Sequence, residues 1–468
     1  METQLRLKRL NKPLILGLIL SFGIYFTSSI YLPLGLLLLV SILIILNLSK
    51  YYSLSLYTYS FTVFFQNAFI AYSAYFIPSK NVFNILHGFN FLISLLVFLL
   101  LFLRLGKLKK KDMQIIGLSG TVLILLIIYA ILGTYLYGLK NSLAYFRLFA
   151  IPILMLWIGY FFSHYLRPDV LKKILWWLYI LTLISIVGQF FFHEIFILLM
   201  NDVAYYGFKR DTDSIDEVIS YLHTNSYFNI SGLGQAMRAP GLIKSFISSA
   251  YFLLLLSIVQ YWNTKKHWVY ISVIIIAVCV ASKGAILAFF FFVFYIILTE
   301  KFKINLKTSV FLFAFLWIIV IIIGFNLRNE HMLGFSGGLS YLWTFGNGLG
   351  FGGNLSDMLI LSYRGEMLPD LGYFTRFQNG SESALGVLFS SLGIFSFIYV
   401  FAILYIIYMI YIKFKNTPLN HLSILCLVMF FQGIFQEEAY SPYAFGLVMF
   451  IGGFYYKCLS NAEIIPKN

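Results

Sequence analysis

Charge is scarce in this chain: 11% of its 468 residues are Asp, Glu, Lys or Arg, against about 25% in an average soluble domain. That excludes an ordinary soluble fold. With 60% hydrophobic residues and a mean hydropathy of +0.87, the composition describes a polytopic membrane protein. Cysteine is nearly absent. Cys279, Cys426 and Cys458 lie in or beside apolar runs without metal-type spacing, so neither a disulfide framework nor a metal centre is indicated. The basic start METQLRLKRLNK is followed by an apolar run with no small-x-small cleavage site, and it reads as a retained first helix. The seven histidines are scattered and none heads a motif, which disfavours a membrane O-acyltransferase built around a central histidine. Neither an internal repeat nor a low-complexity tail is present.

What is there is a series of long apolar runs. A crossing needs roughly 17 to 25 apolar residues, and that rule predicts fourteen helices, at 13–29, 31–48, 55–76, 82–104, 114–137, 142–166, 171–199, 244–262, 267–281, 284–300, 309–327, 384–412, 419–436 and 443–457. The short pair at 267–300 can also be one broken element, which leaves twelve to fourteen. The net charge of +15 follows from topology. With both termini in the cytoplasm, 22 of the 33 lysines and arginines fall on that face, as the positive-inside rule requires, so no nucleic-acid partner is needed. Acidic residues divide the other way, concentrating in two long outer loops, 200–243 and 328–382. The prediction is one all-α membrane domain, 1–468, capped outside by those loops.

Charges held where a loop re-enters the bilayer are the first candidates for chemistry. Arg238 precedes a Pro-Gly turn that launches the helix at 244–262. Its planar fork suits a phosphate or pyrophosphate, or it snorkels to lipid headgroups. Lys283, between Ser282 and Gly284, lies either at a tight outer turn or inside the protein beside an anion. Arg147 stands about one turn into the helix at 142–166. The second outer loop contains GNGLGFGG, with Gly346, Gly348, Gly350, Gly352 and Gly353, and carries Arg364 and Arg376. No Gly-Lys-Ser/Thr follows, so a close-packed turn is favoured over a phosphate nest. Glu382, flanked by Ser381 and Ser383, begins the next helix, where a carboxylate acts as a general base or caps amide donors. Glu437 and Glu438 read as a solvated outer turn, and either is also a possible sugar contact or arginine partner, Glu438 being the one carried forward as a candidate.

Taken in order, R238-A-P-G, S282-K-G-A, G346-N-G-L-G-F-G-G and E382-S-A-L followed by Gly393 resemble the O-antigen polymerase and ligase superfamily, the Wzy and WaaL type, over about residues 230–412. Lysine stands at 283 where the family commonly has arginine, and Glu382 stands where ligases carry histidine, which favours the polymerase branch. The resemblance implies a GT-C type membrane glycosyltransferase that moves glycan from a polyprenyl pyrophosphate to a sugar hydroxyl on the outer face. It implies pyrophosphate held by Arg238, Lys283 and Arg364 or Arg376, and an acceptor hydroxyl oriented or deprotonated by Glu382. Arg147, Ser383 and Glu438 are further candidate substrate contacts. Neither metal nor cofactor is called for, since protein cations neutralise the leaving group. A chain-length regulator and a flippase are implied partners, beside membrane lipids. A ligase or a lipid-linked oligosaccharide flippase are the alternatives.

Overall fold

The computed structural model describes residues 2–104, 110–230, 234–264, 269–302, 306–326, 330–355, 382–414, 417 and 419–462. Helix dominates, because a chain with few polar side chains can satisfy its backbone away from water only within each segment. α1 (Glu2–Ile30) and α2 (Leu32–Leu48) are separated by Tyr31, with Pro33 in the first turn of α2 where a missing amide costs nothing. The next apolar segments are bent pairs. α3 (Tyr52–Phe64) meets α4 (Gln66–Tyr72) at Phe65, and α5 (Lys80–His87) meets α6 (Phe89–Arg104) at Gly88 with a bend of 44°. α7 (Lys110–Tyr137) and α8 (Leu139–Phe162) flank Gly138, and α9 (Pro168–Phe191) continues past Phe192 as α10 (His193–Leu199).

The 200–243 segment holds α11 (Asp202–Arg210), α12 (Ile215–Ser226) and the antiparallel strands β1 (Tyr227–Ile230) and β2 (Gly234–Met237). α13 (Phe246–Thr264) follows. α14 (Val269–Ile275) widens into a π-turn, Ile276–Val280, before α15 (Lys283–Ile296) and α16 (Leu306–Asn326). α17 (Glu330–Leu339) lies within 328–382, a segment otherwise expected to be loop. α18 (Ala384–Leu392) breaks at Gly393 into α19 (Ser396–Phe414), and α20 (Asn420–Gln432) and α21 (Leu447–Ala462) close the chain. Each predicted apolar segment thus coincides with a helix or a bent pair. Among the described residues, five helical stretches are long and apolar enough to cross a membrane unaided, Lys12–Ile30, Gln114–Tyr137, Leu139–Phe162, Pro168–Phe191 and Ala384–Phe414, and α5 with α6 makes a sixth. Large apolar side chains such as Leu37, Ile131 and Leu103 are more than 60% exposed, as a lipid-facing exterior requires.

The helices group into two compact units. The first comprises 1–105, 157–286 and 453–468, and the second 106–156 and 287–452. In the first, α1 packs on α3 through Gly17, where an added Cβ would come within 2.8 Å of the Tyr57 Cβ. Small residues at such crossings let backbones approach where no hydrophobic force drives association. The buried hydroxyls of Ser21, Ser28 and Ser29 donate to carbonyls four residues earlier, which gives each of the three a partner. In the second unit, buried Trp317 stacks on Phe291 at 4.4 Å and on Phe431 at 5.9 Å, and α17 packs along α18.

Candidate active site

In the second unit a carboxylate and an imidazole meet at the heads of two helices. Gly338 of α17 faces Gly386 of α18 so closely that an added Cβ would lie 2.5 Å from the Gly386 carbonyl carbon, and a Cβ on Gly386 would lie 2.6 Å from the Gly334 carbonyl oxygen. This Gly-x-x-x-Gly contact holds the two helices side by side. His331, at the start of α17, then brings its Nδ1 to 3.2 Å from Oε2 of Glu382, and both side chains are about one-third exposed. Glu382 stands one residue before the cap. The cap is Ser383, whose buried Oγ accepts from the Gly386 amide at 3.0 Å and donates to the Gly433 carbonyl at 3.4 Å. Capping is therefore the work of Ser383, and its buried hydroxyl is engaged inside the protein. Glu382 itself is left reachable from solvent and oriented by histidine.

The glycine-rich turn packs against the far end of α18 and against α7. Its amides are engaged by protein carbonyls: Asn347 donates to Ser390, Gly348 to Ser391 at 3.0 Å and Leu349 to Tyr129 at 3.0 Å. These three amides are taken by the protein and face no ligand. At its end Gly353 (φ +96°) takes a left-handed conformation, and an added Cβ would lie 2.5 Å from Oε1 of Glu437. That oxygen accepts a 2.7 Å hydrogen bond from the Tyr145 hydroxyl, which in turn accepts from the Leu355 amide at 3.0 Å. Glu437 is buried, not solvated as a turn carboxylate was expected to be; Glu438 beside it is half-buried.

Burial pushes the Glu437 carboxyl well above the ordinary carboxylate range. The Tyr145 hydroxyl opposes the shift, while the charges of Glu438 and Glu382 add to it. The folded protein then holds a proton that the unfolded chain releases above about pH 4.3. Its contribution to stability is complete below that value and is lost as pH rises toward the folded-state pKa. Glu437→Gln keeps the shape without the charge. The variant should melt above the parent at pH 8 in detergent and level with it near pH 4.5; a parent that gains stability with rising pH relative to the variant would contradict this assignment.

The first unit holds the predicted cations of the 238–244 and 280–283 corners. The Arg238 Nε donates to the Val280 carbonyl at 3.1 Å, its guanidinium lies 4.3 Å from the Phe246 ring centroid, and the Ala239 amide donates to the Cys279 carbonyl at 2.7 Å. These bonds seat Arg238 on the turn that ends in Lys283. Arg238 is half-buried and has no acidic partner among the described residues, and burial lowers its pKa from the ordinary guanidinium value. Lys283 is exposed at the first turn of α15, so the tight-turn reading applies. A cation there opposes the helix dipole unless an anion sits with it.

The segment after Arg238 is pinned from several sides. Gln189 accepts from the Gly241 amide at 2.7 Å, Ser185 from the Leu242 amide at 3.2 Å, and Asn67 donates to the Ile243 carbonyl at 2.8 Å. Lys244, fully buried, pairs with fully buried Asp202 at 2.5 Å.

Arg147, in α8, is half-buried with no acidic partner among the described residues. Arg364 and Arg376 lie outside the described residues. Sequence reasoning missed His331, Tyr145, Asp202 and the burial of Glu437; for His331 the available signal was the Gly334-x-x-x-Gly338 spacing that follows it. No group of three or more His, Cys, Asp or Glu suited to a metal occurs among the described residues. Comparison of the chain with protein families, curated proteins and solved structures finds no match, and it assigns no family.

Proposed function

We propose that the protein is a surface-polysaccharide polymerase, a metal-independent membrane glycosyltransferase of the O-antigen polymerase type with a GT-C type arrangement of up to fourteen crossings. In this reading it resides in the bacterial cytoplasmic membrane with both termini inside and works on the outer face, alongside a flippase and a chain-length regulator. The observation that carries the reading is Glu382: a partly exposed carboxylate at the head of an apolar helix, with an imidazole 3.2 Å from one of its oxygens. Such a group removes the proton from an acceptor sugar hydroxyl as that hydroxyl attacks the anomeric carbon. His331 positions the carboxylate. The bond that breaks joins the anomeric carbon to the pyrophosphate, and the departing charge calls for fixed cations. Arg238, held on the Val280 carbonyl without a carboxylate partner among the described residues, and Lys283 supply them in this reading. Direct attack inverts the anomeric centre.

Transfer of the same glycan to a different lipid or protein acceptor would make the protein a ligase, with the same roles for these residues. Flipping a lipid-linked oligosaccharide needs no base beside an acceptor, and the His331–Glu382 pair would then serve as a proton relay or a fastening. The test is the polymer made in cells. Glu382→Ala should abolish chains longer than one repeat unit while the protein remains in the membrane. Arg238→Ala should lower polymer at least about tenfold, and Arg238→Lys less, because the charge survives and only the bidentate fork is lost. Normal polymer from Glu382→Ala would refute the assignment of the base, and equal, negligible effects of both changes at Arg238 would return that residue to headgroup snorkelling.

A further inference from the structure

At the opposite end of the helices in the first unit is a feature that glycan transfer does not use. A cleft of about 410 Å³ opens between the start of the Lys12–Ile30 stretch, the end of α2 and the start of α3, lined by Lys12, Lys50, Tyr52, Tyr165, Leu16 and Leu54 among others. Both lysines are exposed, and neither has an acidic partner among the described residues. No carboxylate lines the cleft among the described residues. One wall is rigid. Tyr52 stacks on Tyr165 at 4.0 Å, and Arg104 donates to the Tyr52 hydroxyl at 3.0 Å and to the Asn47 and Leu48 carbonyls at the end of α2.

Lys50 is placed by backbone geometry that its side chain does not favour. It sits just past the end of α2 at φ +61°, while the Tyr51 amide closes back on the Leu46 carbonyl at 2.9 Å. Glycine or asparagine is the usual occupant of that position, and a side chain there adds strain. A lysine accepts the strain and delivers an ammonium to the rim of the cleft. Leu16 and Leu54 continue the same surface as apolar helix flank, with Leu16 44% exposed.

We propose that this cleft binds one anionic phospholipid, its phosphate between Lys12 and Lys50 and an acyl chain along Leu16 and Leu54. Charge complementarity selects the lipid class: two ammonium groups without a carboxylate, above an apolar strip, fit a phosphodiester carrying net negative charge and gain little from a zwitterionic headgroup. The aromatic pair at the rim suits the headgroup level of a bilayer. The site lies in the first unit alone and stands whether or not the protein polymerises glycan.

The test is native mass spectrometry of the full-length protein, delipidated in detergent and titrated with phosphatidylglycerol or phosphatidylcholine. The first phosphatidylglycerol should bind at least about tenfold more tightly than phosphatidylcholine, and Lys12→Gln with Lys50→Gln should abolish that preference. Lys12→Arg with Lys50→Arg should retain it, which separates charge from fold. Adding glycerol phosphate in excess should not displace the lipid. Equal binding of the two lipids, retention of the preference in the double glutamine variant, loss of it in the arginine variant, or full displacement by glycerol phosphate would each overturn the proposal, the last by showing a site for free phosphate.

Discussion

Asp202→Ala should destabilise the first unit by about 3–5 kcal/mol, the cost of leaving a buried charge without its partner. Lys244 is fully enclosed at 2.5 Å from Asp202, with its ammonium also 4.9 Å from the Phe196 ring centroid. No water reaches it to replace the lost carboxylate. The loss should be visible as a lowered melting temperature in detergent, and the pair should be strongly non-additive: Lys244→Met combined with Asp202→Leu leaves no charge behind and should cost less than Asp202→Ala alone. Because Lys244 ends the segment that begins with Arg238, polymer should fall in the single variant along with stability. An unchanged melting temperature in Asp202→Ala would show that the pair is not a fastening.

Gly338→Val should part the two helix heads in the second unit. Its side chain would enter the backbone of Gly386, and backbone on both sides leaves nothing flexible to give. α17 must move off α18, and His331 leaves Glu382 with it. Overpacking of this kind costs about 1–3 kcal/mol or more, which helices anchored elsewhere in the unit can tolerate, so the protein should still reach the membrane. Polymer should nevertheless drop about a hundredfold, the scale of losing a positioned general base. A Gly338→Val variant with normal polymer would separate the glycine contact from the chemistry. Gly353→Ala offers a comparison: it strikes the Tyr145–Glu437 hydrogen bond and should lower stability without acting on His331.

Much of the helix pattern was legible because apolar length is a direct signal in a chain with so little charge. The breaks at Gly88 and Gly393 carried glycine, a visible punctuator. Those at Phe65 and Phe192 carried nothing that differs from the flanking helix, and they follow from packing. Glu382 was legible from its position between a polar segment and an apolar run. His331 was not, because the residue it touches arrives from another helix and a lone histidine has no periodicity. Glu437 illustrates the reverse: a carboxylate in a short turn is expected in water, and Tyr145, supplied from α8, together with the Asn354 backbone makes its burial tolerable. Asp202 and Lys244 look in sequence like two more outer-face charges. Nothing short of the fold shows that they close on each other.

The most direct measurement is turnover by purified protein in lipid, supplied with polyprenyl-pyrophosphate-linked repeat units and followed by the release of polyprenyl pyrophosphate together with the length of the glycan. The parent should release one pyrophosphate carrier for each unit added, with no divalent metal required, and Glu382→Gln should slow release at least about a hundredfold while still binding the lipid-linked substrate. Glu382→Gln turning over at the parental rate, or a parent that binds these lipids and never lengthens the glycan, would contradict the account.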